Sequence, residues 1–462
     1  MGSLDTAVDP RAQAYLDARA ATLASLAELE DALDVARAGG GERAVTRHHA
    51  RGKLLARERI ELLVDRDSPL LELSPVAGWG TDAPVGAAVV TAIGVVEELA
   101  CVIIASDPTV RGGAINTATL RKILRAQQIA YENRLPLVTL LETSGYEPAE
   151  HSEIFVYAGQ VLAGFARLAA ARIPTAGTVF GDSTMLGGAD LAAAFDYLVA
   201  LSPRATRRPV DHLAEDERDA LRLTRQGVRP FQEPLPAVPA AASPAHDQED
   251  LLAVAPAEPR EILGRILDGS EFDEVQPGYG TALCTGWGAL HGHRVAVLAN
   301  VGGVVTAAEA DKVERFVRRA EATRTPLLCL RHRPDSGDDA PDAEAAVTRT
   351  VAGATVPLLA VRVGSWHGPA AVGVPARFRF SWPTAGAGLA GDESATALRL
   401  SGLLDDDGVI DPRDTRTVLG LCLSIASERS SRASDAVGFT ASERAREASD
   451  AVGIVVGQGR RS

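Results

Sequence analysis

Residues 172–200 read RIPTAGTVFGDSTMLGGADLAAAFDYLVA, and this stretch decides how the rest of the chain is interpreted. Its apolar run from Thr175 to Phe180 is bounded by glycine and followed by small helix formers. That pattern predicts a buried strand that leads into a helix starting near Ala189. Gly187 and Gly188 would let a ligand approach the backbone closely. The free N–H groups of such a helix would form an anion site, although most Gly-Gly turns only join elements.

Length, composition and charge exclude several classes of protein. The 462 residues suffice for two or three domains, and no apolar run reaches membrane-spanning length. The opening residues, MGSLDTAVDPRAQ, are polar and acidic, so we predict a cytoplasmic protein without a secretory signal and without a membrane anchor. The net charge of −14 argues against nucleic acid as a partner.

The cysteines predict neither disulfides nor a metal site. The four cysteines, Cys101, Cys284, Cys329 and Cys422, stand far apart, and no CxxC or His/Cys cluster occurs. Three of the four lie in apolar runs. Isolated cysteines in apolar surroundings are typically buried free thiols. We therefore predict four buried thiols and no metal.

Two helices are expected before the first strands. Apolar residues at helical spacing over residues 9–39 predict one amphipathic helix that ends at three consecutive glycines. Residues 48–65, HHARGKLLARERIELLVD, predict a second helix whose basic side chains include Arg51, Lys53 and Arg57. A charge run of this kind usually forms a solvated face.

Strands and helices then alternate, which is typical of an α/β fold. Residues 85–108 predict two strands, residues 117–133 a helix with Thr117 as candidate N-cap, residues 136–141 a strand and residues 155–171 a further helix. Residues 229–259, rich in proline and alanine, predict a linker. The chain is thereby divided into a first domain (1–228), the linker and a second domain (260–462).

The second domain repeats the pattern of the first. Residues 294–330 and residues 101–141 each read as strand, glycine-containing turn, helix and a strand opened by proline, Pro326 or Pro136. Residues 355–374 parallel the opening stretch, with Pro357 at the place of Pro174. A repeat of this length indicates a duplicated domain.

Four segments together resemble the β subunits of biotin-dependent acyl-CoA carboxylases, the carboxyltransferase component. They are ARGKLLARERIELLVD (50–65), DGSEFDEVQPGYGTALCTGWGALHG (268–292), ADKVERFVRRAE (310–321) and DGVIDPRDTRTVLGLCL (407–423). The resemblance implies two tandem crotonase-like α/β domains of the ββα-superhelix type. It also implies a hexamer of identical or homologous chains, with a biotin carboxylase/biotin carrier subunit as partner.

The resemblance also implies a mechanism and a set of site residues. The first domain would take the acyl-CoA thioester and the second would take carboxybiotin. Pairs of backbone N–H groups would stabilise the two enolates. By position the donors are Gly187 and Gly188 in the first domain and Gly368 and Ala370 in the second. The CoA-binding residues that the resemblance implies are Arg51, Lys53, Arg57, Ser144, Gly145 and Ala189.

The chain departs from the family at the second donor pair. It reads His367-Gly368-Pro369-Ala370, and proline has no backbone N–H. Three functions therefore remain open. The chain is a carboxyltransferase, a biotin-independent relative such as a decarboxylase of malonyl-type CoA, or a non-catalytic subunit of a mixed hexamer.

Overall fold

The structure is a computed structural model, and it describes most of the chain. The described residues are 2–146, 151–181, 185–186, 189–190, 194–202, 205, 210–231, 240–332, 341–364, 366–367, 376–388 and 396–435.

The first of two seven-stranded sheets is built from residues 70–213, in the strand order β10-β9-β6-β5-β4-β3-β2. Its strands are β2 (Leu70–Leu73), β3 (Val89–Val96), β4 (Leu99–Ser106), β5 (Leu137–Leu141), β6 (Thr175–Val179), β9 (Tyr197–Ala200) and β10 (His212–Leu213). The pairs β2–β3 and β3–β4 are antiparallel, and every later pair is parallel. The carboxyl ends of β5, β6 and β9 therefore meet at one edge of the sheet.

The second seven-stranded sheet has the order β1-β11-β12-β13-β14-β15-β17. Its strands are β1 (Gly2–Ser3), β11 (Glu271–Glu274), β12 (Leu283–Leu290), β13 (His293–Asn300), β14 (Leu327–Arg331), β15 (Leu358–Arg362) and β17 (Phe378–Ser381). It repeats the antiparallel hairpin followed by parallel strands. The predicted duplication is thus present in the strand order.

Two small ladders complete the strands. The strands β7 (Met185–Leu186) and β8 (Ala189–Asp190) pair antiparallel, and β16 (Trp366–His367) pairs parallel with β18 (Ala387–Gly388). The prediction of a helix from Ala189 is therefore wrong at its start. The prediction that the dipole of this helix creates an anion site fails with it. The sequence did contain the opposing signal, because Gly-Gly between two short segments is typical of a β-hairpin.

Eleven α-helices occur in the described part of the chain. They are α1 (Gln13–Arg37), α2 (Glu42–His49), α3 (Ala56–Leu63), α4 (Thr117–Asn133), α5 (His151–Ala170), α6 (Glu217–Val228), α7 (Pro259–Ile266), α8 (Ala307–Ala322), α9 (Pro341–Ala352), α10 (Ala397–Gly402) and α11 (Thr415–Asp435).

Two helix predictions need correction. The single helix expected over residues 48–65 is two helices, α2 and α3, separated by residues 50–55, with Gly52 at a φ of 73°. A left-handed backbone conformation interrupts a helix and favours glycine. Helix α4 has the predicted bounds, but its N-cap is Asn116, whose side chain accepts a hydrogen bond from the Thr119 N–H at 2.9 Å.

A buried lysine occupies the equivalent position in each half. The Lys122 ammonium donates to the carbonyls of Val89 (2.8 Å) and Gly86 (3.3 Å). The Lys312 ammonium donates to the carbonyls of Leu283 (2.7 Å) and Gly280 (3.2 Å). Each lysine thus fastens the helix that follows a hairpin to the first strand of that hairpin. Burial lowers the pKa of Lys122 to about 8.

The hairpin turns are held by equivalent aspartates. Asp65 accepts hydrogen bonds from the N–H groups of Glu97 (2.9 Å) and Glu98 (2.7 Å), and it pairs with Arg225 at 2.7 Å. Asp268 accepts from the N–H groups of His291 (3.1 Å) and Gly292 (2.7 Å) in the second half. It pairs with Arg416 at 2.6 Å. The two halves therefore share this contact as well, which supports the duplication.

The two sheets share one apolar core. A continuous cluster of buried side chains includes Val102 and Leu137 from the first sheet and Val297 and Leu359 from the second. Leu251, at the far end of the predicted linker, is 1% exposed and belongs to the same cluster. The domain bounds 1–228, 229–259 and 260–462 stay a prediction.

The predicted state of the cysteines is confirmed, because all four are buried and free. Within the described residues no group of His, Cys, Asp and Glu is arranged to hold a metal ion. None of the helices in that same part of the chain combines the length and apolar character needed to cross a bilayer.

Candidate active site

A cavity of about 810 Å³ opens at the carboxyl ends of β5, β6 and β9. Ligands of open α/β sheets bind outside the carboxyl ends of the strands, so the position is the expected one. Arg51, Lys53 and Ser144, three of the residues predicted to bind CoA, line this cavity together. The remaining lining residues come from the same edge of the sheet and the segments beside it (His48, Gly52, Pro108, Gly112, Glu142, Thr143, Phe180, Gly181, Leu201, Glu215, Asp216 and Glu217).

Lys53 lines the cavity and joins three segments. Its ammonium forms an ion pair with Glu142, the residue that directly follows β5. It also donates a hydrogen bond to the Phe180 carbonyl, just beyond β6, at 3.3 Å, and lies 3.9 Å from Glu217. Lys53 therefore fixes the ends of two neighbouring strands relative to the segment that precedes α3.

Arg59 completes a group of four charges beneath the cavity. Its fully buried guanidinium contacts Glu142 at 2.5 Å and Glu217 at 2.8 and 3.0 Å, and it lies over the Phe180 ring at 4.1 Å. The backbone N–H of Leu54 donates to Glu217 at 3.0 Å as well. Two cations and two carboxylates at these distances compensate one another, which a buried charge requires.

The four charges keep Glu142 ionised. Burial by itself would raise the pKa of Glu142, but Arg59 and Lys53 together outweigh burial and lower the pKa below its usual value. A carboxylate with a lowered pKa is a poor general base at neutral pH. Glu142 therefore holds the Lys53 and Arg59 cations in place.

The rim of the cavity carries charges of both signs. Arg51 is exposed, and among the described residues its guanidinium contacts no carboxylate. Glu215 and Asp216 stand on the same rim. Ser144 lies against Gly112, where an added Cβ would meet the Ser144 hydroxyl oxygen at 3.2 Å. Gly112 has a φ of 72°, a left-handed conformation that favours glycine.

Arg57, also predicted to bind CoA, does not line the cavity. Its guanidinium forms two hydrogen bonds with Glu72, at 2.8 and 3.1 Å, and donates to the Ala36 carbonyl at 3.1 Å. The second half repeats the pair, because Arg260 contacts Glu274 at 2.6 and 2.9 Å. The duplication of the pair favours a structural role for Arg57.

The remaining predicted residues are placed as follows. Gly145 adjoins the cavity with a φ of 107°, and its carbonyl accepts a hydrogen bond from the Ile115 N–H at 2.8 Å. Ala189 is the first residue of β8, opposite Leu186. The four predicted backbone donors lie outside the described residues (Gly187, Gly188, Gly368 and Ala370).

The sequence did not reveal the roles of Glu142, Arg59 and Glu217. Glu142 had a recognisable signal, since it is an ionisable residue directly after a buried strand. Arg59 looked like part of a basic surface, yet it is fully buried. Glu217 begins a helix far along the chain, and only the fold brings it to Arg59.

The fold is that of a crotonase-like α/β protein with a cavity at a sheet edge, and comparison with known proteins gives the family. The carboxyl transferase domain matches residues 47–203 and 209–398. The chain therefore belongs to the carboxyl transferase family, which is represented among its relatives by β subunits of acyl-CoA carboxylases.

Two relatives from Mycobacterium tuberculosis illustrate the similarity. The chain is 40% identical to a probable biotin-dependent acyl-coenzyme A carboxylase beta2 subunit, over 91% of this chain and 96% of the relative. It is 33% identical to a biotin-dependent 3-methylcrotonyl-coenzyme A carboxylase beta1 subunit, over 87% and 94%. Among solved structures, the geranyl-CoA carboxylase beta subunit of P. aeruginosa matches with a TM-score of 0.82 at 30% identity, covering 92% of this chain and 97% of that one.

Proposed function

We propose that this chain is a carboxyltransferase subunit that moves a carboxyl group from carboxybiotin to the α-carbon of an acyl-CoA. The observation that carries the proposal is the cavity at the ends of β5, β6 and β9, where Arg51, Lys53 and Ser144 meet. Carboxybiotin, held by a partner carrier subunit, supplies the carboxyl group. Relatives that match nearly the whole chain are named as biotin-dependent carboxylase subunits, which supports this function.

The first half takes the acyl-CoA in this proposal. Arg51 meets a CoA phosphate in this proposal, because it is exposed, it contacts no carboxylate in the described part of the chain, and a guanidinium pairs readily with phosphate oxygens. Lys53 holds the Phe180 carbonyl, so it sets the start of the segment that contains Gly187 and Gly188. The backbone N–H groups of these two glycines stabilise the thioester enolate, and those of Gly368 and Ala370 serve the carboxybiotin side.

The residues His367-Gly368-Pro369-Ala370 favour a second candidate function. Residues 368–370 would supply three backbone N–H groups if none of them were proline. Pro369 has no N–H, so the carboxybiotin side has one donor fewer. Chemistry at the first half would be unaffected. The second candidate is therefore a biotin-independent reaction through the same thioester enolate, such as decarboxylation of a malonyl-type CoA.

A coupled assay separates these functions. The chain is combined with a biotin carboxylase/carrier subunit from the same source, and ATP-dependent carboxylation is followed across acyl-CoA chain lengths. Decarboxylation of malonyl-type CoAs is measured without the partner. Turnover only in the first assay supports the carboxyltransferase, and turnover only in the second supports the decarboxylase. Turnover in neither, with assembly onto a homologous chain, assigns a non-catalytic subunit.

The same proposal includes a hexamer of this chain, alone or with a homologous chain. Light scattering at micromolar concentration tests it, and a stable monomer would contradict it. Calorimetry with several acyl-CoAs tests binding to the first half. The absence of heat with every acyl-CoA at high micromolar concentration would reject acyl-CoA binding.

A further inference from the structure

A smaller cleft lies where the two halves of the chain meet. It measures about 350 Å³ and is formed by residues 78–83, the start of α4, Glu153 on α5 and residues 402–404. The residues that line it differ from those that line the candidate active site. The Gly78 N–H donates a hydrogen bond to the Gly402 carbonyl at 2.7 Å, so the two halves are joined beside the cleft.

Arg121 brings a positive charge to this cleft. The side chain is exposed, and its guanidinium donates a hydrogen bond to the Leu403 carbonyl at 2.9 Å. Within the described part of the chain, no carboxylate lies at ion-pair distance from it. A guanidinium has five N–H donors in a planar fork that fits a carboxylate. Most donors of Arg121 are therefore available to a ligand.

Glu153 brings the opposite charge to the same cleft. Its carboxylate accepts a hydrogen bond from the Thr117 hydroxyl at 3.4 Å and, among the described residues, forms no ion pair, with Arg121 or with any other cation. Thr117 lies one helical turn before Arg121, and the Cβ atoms of residues four apart on a helix are about 5–6 Å apart. The two uncompensated charges therefore line one cleft at a separation that a small molecule can span.

The second half shows that the duplicated fold does not require this arrangement. Asp311 on α8 is the equivalent of Arg121, because each directly precedes the buried lysine of its half. Asp311 accepts a hydrogen bond from the Arg315 guanidinium at 3.0 Å, so its charge is compensated. The uncompensated guanidinium is therefore a feature of the first half alone.

The rest of the wall is apolar or already hydrogen-bonded. The Thr81 hydroxyl donates to the Gly78 carbonyl at 2.7 Å and accepts from the Ala83 N–H at 3.1 Å. Leu403 and Leu404 supply apolar surface, and Leu403 is 39% exposed. Small-molecule sites typically measure about 300–1,000 Å³ and combine apolar walls with a few polar groups. The cleft meets this description at the lower end of the range.

The two charges restrict the class of ligand. A phosphate or another anion would be attracted by Arg121 but repelled by Glu153. A metal ion or another cation would meet the reverse. A molecule that carries both a carboxylate and an ammonium group complements both side chains at once.

We propose that the cleft binds a small zwitterion, namely an α-amino acid with an aliphatic side chain. The ligand carboxylate pairs with Arg121, the ammonium group pairs with Glu153, and the side chain packs against Leu403. The inference rests on the lining of the cleft and does not depend on the proposed carboxyltransferase function.

Calorimetry on the full chain with L-norvaline, pentanoate and butylamine tests the need for both charges. Pentanoate is norvaline without its ammonium group, and butylamine is norvaline without its carboxylate. We expect norvaline to bind, and each probe with a single charge to bind at least about tenfold more weakly. Equal binding of either single-charge probe, or no heat with norvaline at millimolar concentration, would overturn the proposal.

Two variants assign each charge of the ligand to one residue. In Glu153→Gln the ammonium group of norvaline loses its partner, so norvaline and pentanoate should bind within about twofold of one another. In Arg121→Gln the carboxylate loses its partner, so norvaline and butylamine should bind within about twofold. Persistence of the wild-type preference for norvaline in both variants would show that it binds elsewhere.

Arg134→Gln is the matched control. Arg134, at the other end of α4, is also exposed, and it also donates to a backbone carbonyl, that of Ala171 at 3.1 Å. Its loss should leave norvaline affinity within about twofold, whereas Arg121→Gln should weaken it about tenfold. Equal losses in the two variants would contradict the assignment. If a cleft variant fails to fold, the three probes on the wild type still decide the outcome.

Glycine and Leu403→Ala test the apolar contact. Glycine keeps both charges but lacks the side chain, so we expect it to bind the wild type more weakly than norvaline. Leu403→Ala should reduce this difference, because it removes the surface against which the norvaline side chain packs. An unchanged difference between norvaline and glycine in Leu403→Ala would overturn the assigned contact.

Discussion

Arg125 and Asp407 form a buried bidentate ion pair that joins the first half of the chain to the second. The guanidinium of Arg125, on α4, contacts the two carboxylate oxygens of Asp407 at 2.6 and 2.7 Å. Asp407 also accepts a hydrogen bond from the Arg379 N–H at 2.8 Å, and its side chain is fully buried. Arg125 donates in addition to the Arg377 carbonyl at 2.9 Å.

Asp407→Asn should destabilise the fold strongly. The substitution leaves the Arg125 guanidinium buried without its counter-ion, which typically costs about 3–5 kcal/mol. Chemical denaturation followed by circular dichroism measures the loss as a shift of the unfolding midpoint. Asp411→Asn is the control, because Asp411 pairs with the exposed Arg413 and such pairs contribute at most about 1 kcal/mol. Equal midpoint shifts in the two variants would contradict the prediction.

Arg51→Ala and Arg57→Ala should separate ligand binding from stability. Arg51 lines the candidate active site, so its loss should weaken acyl-CoA binding about tenfold, or roughly 1.4 kcal/mol. Arg57 is held by Glu72 outside the cavity, so its loss should lower stability by about 1 kcal/mol and leave affinity unchanged. Calorimetry with an acyl-CoA and with an acyl-pantetheine that lacks the phosphates measures the affinity of each variant. Chemical denaturation measures its stability.

If Arg51 meets a phosphate of CoA, Arg51→Ala should weaken the binding of the acyl-CoA and leave the binding of the acyl-pantetheine unchanged. A loss of the same size for the acyl-pantetheine would show that Arg51 acts on another part of the ligand. Weaker acyl-CoA binding in Arg57→Ala than in Arg51→Ala would reverse the assignment of the two residues.

Asp406 should make the protein less stable as the pH rises. Burial raises the pKa of Asp406 from 3.8 to about 6, even though the Ser381 hydroxyl donates to it at 2.6 Å. Because the folded state binds the proton more tightly than the unfolded state, this group lowers the free energy of unfolding as the pH rises from about 4 to about 6. The full loss above that range is on the order of 3 kcal/mol.

Asp406→Asn isolates this contribution from that of the other carboxylates. Carboxyl groups with lowered pKa values, such as Asp65 and Glu142, act in the opposite direction and are common to both proteins. The difference in unfolding free energy between variant and wild type should therefore shift in favour of the variant between about pH 4 and 7. A difference that does not change with pH would refute the prediction.

Pro369→Gly should raise biotin-dependent turnover. The substitution restores a backbone N–H next to Gly368 and Ala370, and one oxyanion donor contributes on the order of 3 kcal/mol to transition-state stabilisation. Acyl-CoA chemistry that needs only the first half should not change. The coupled carboxylation assay measures the gain. Ordinary carboxylation rates in the wild type, unchanged in Pro369→Gly, would show that Pro369 does not cost a donor.

The sequence predicted the fold through local patterns. Hydrophobic periodicity depends only on residues close in the chain. It predicted the strand at Thr175, the bounds of α4 and the repetition of the first half in the second. The shared proline positions and the family segments were sufficient to identify a duplicated α/β member of the carboxyl transferase family. The helix expected at Ala189 failed because a two-stranded ladder overrode a weak helical preference.

For the candidate site, the sequence predicted less than it did for the fold. The basic segment around Lys53 was recognisable from its composition, but composition could not distinguish the exposed Arg51 from Arg57, held by Glu72, or from the buried Arg59. That distinction depends on Glu72, Glu142 and Glu217, which are distant in the chain and reach the arginines only when the sheet edge is assembled.

The sequence by itself determined the class of fold and the duplication, because both are encoded by the spacing of apolar residues. Only the tertiary structure decided which charges face a ligand and which compensate one another, because the energy of a buried charge depends on its partners in space.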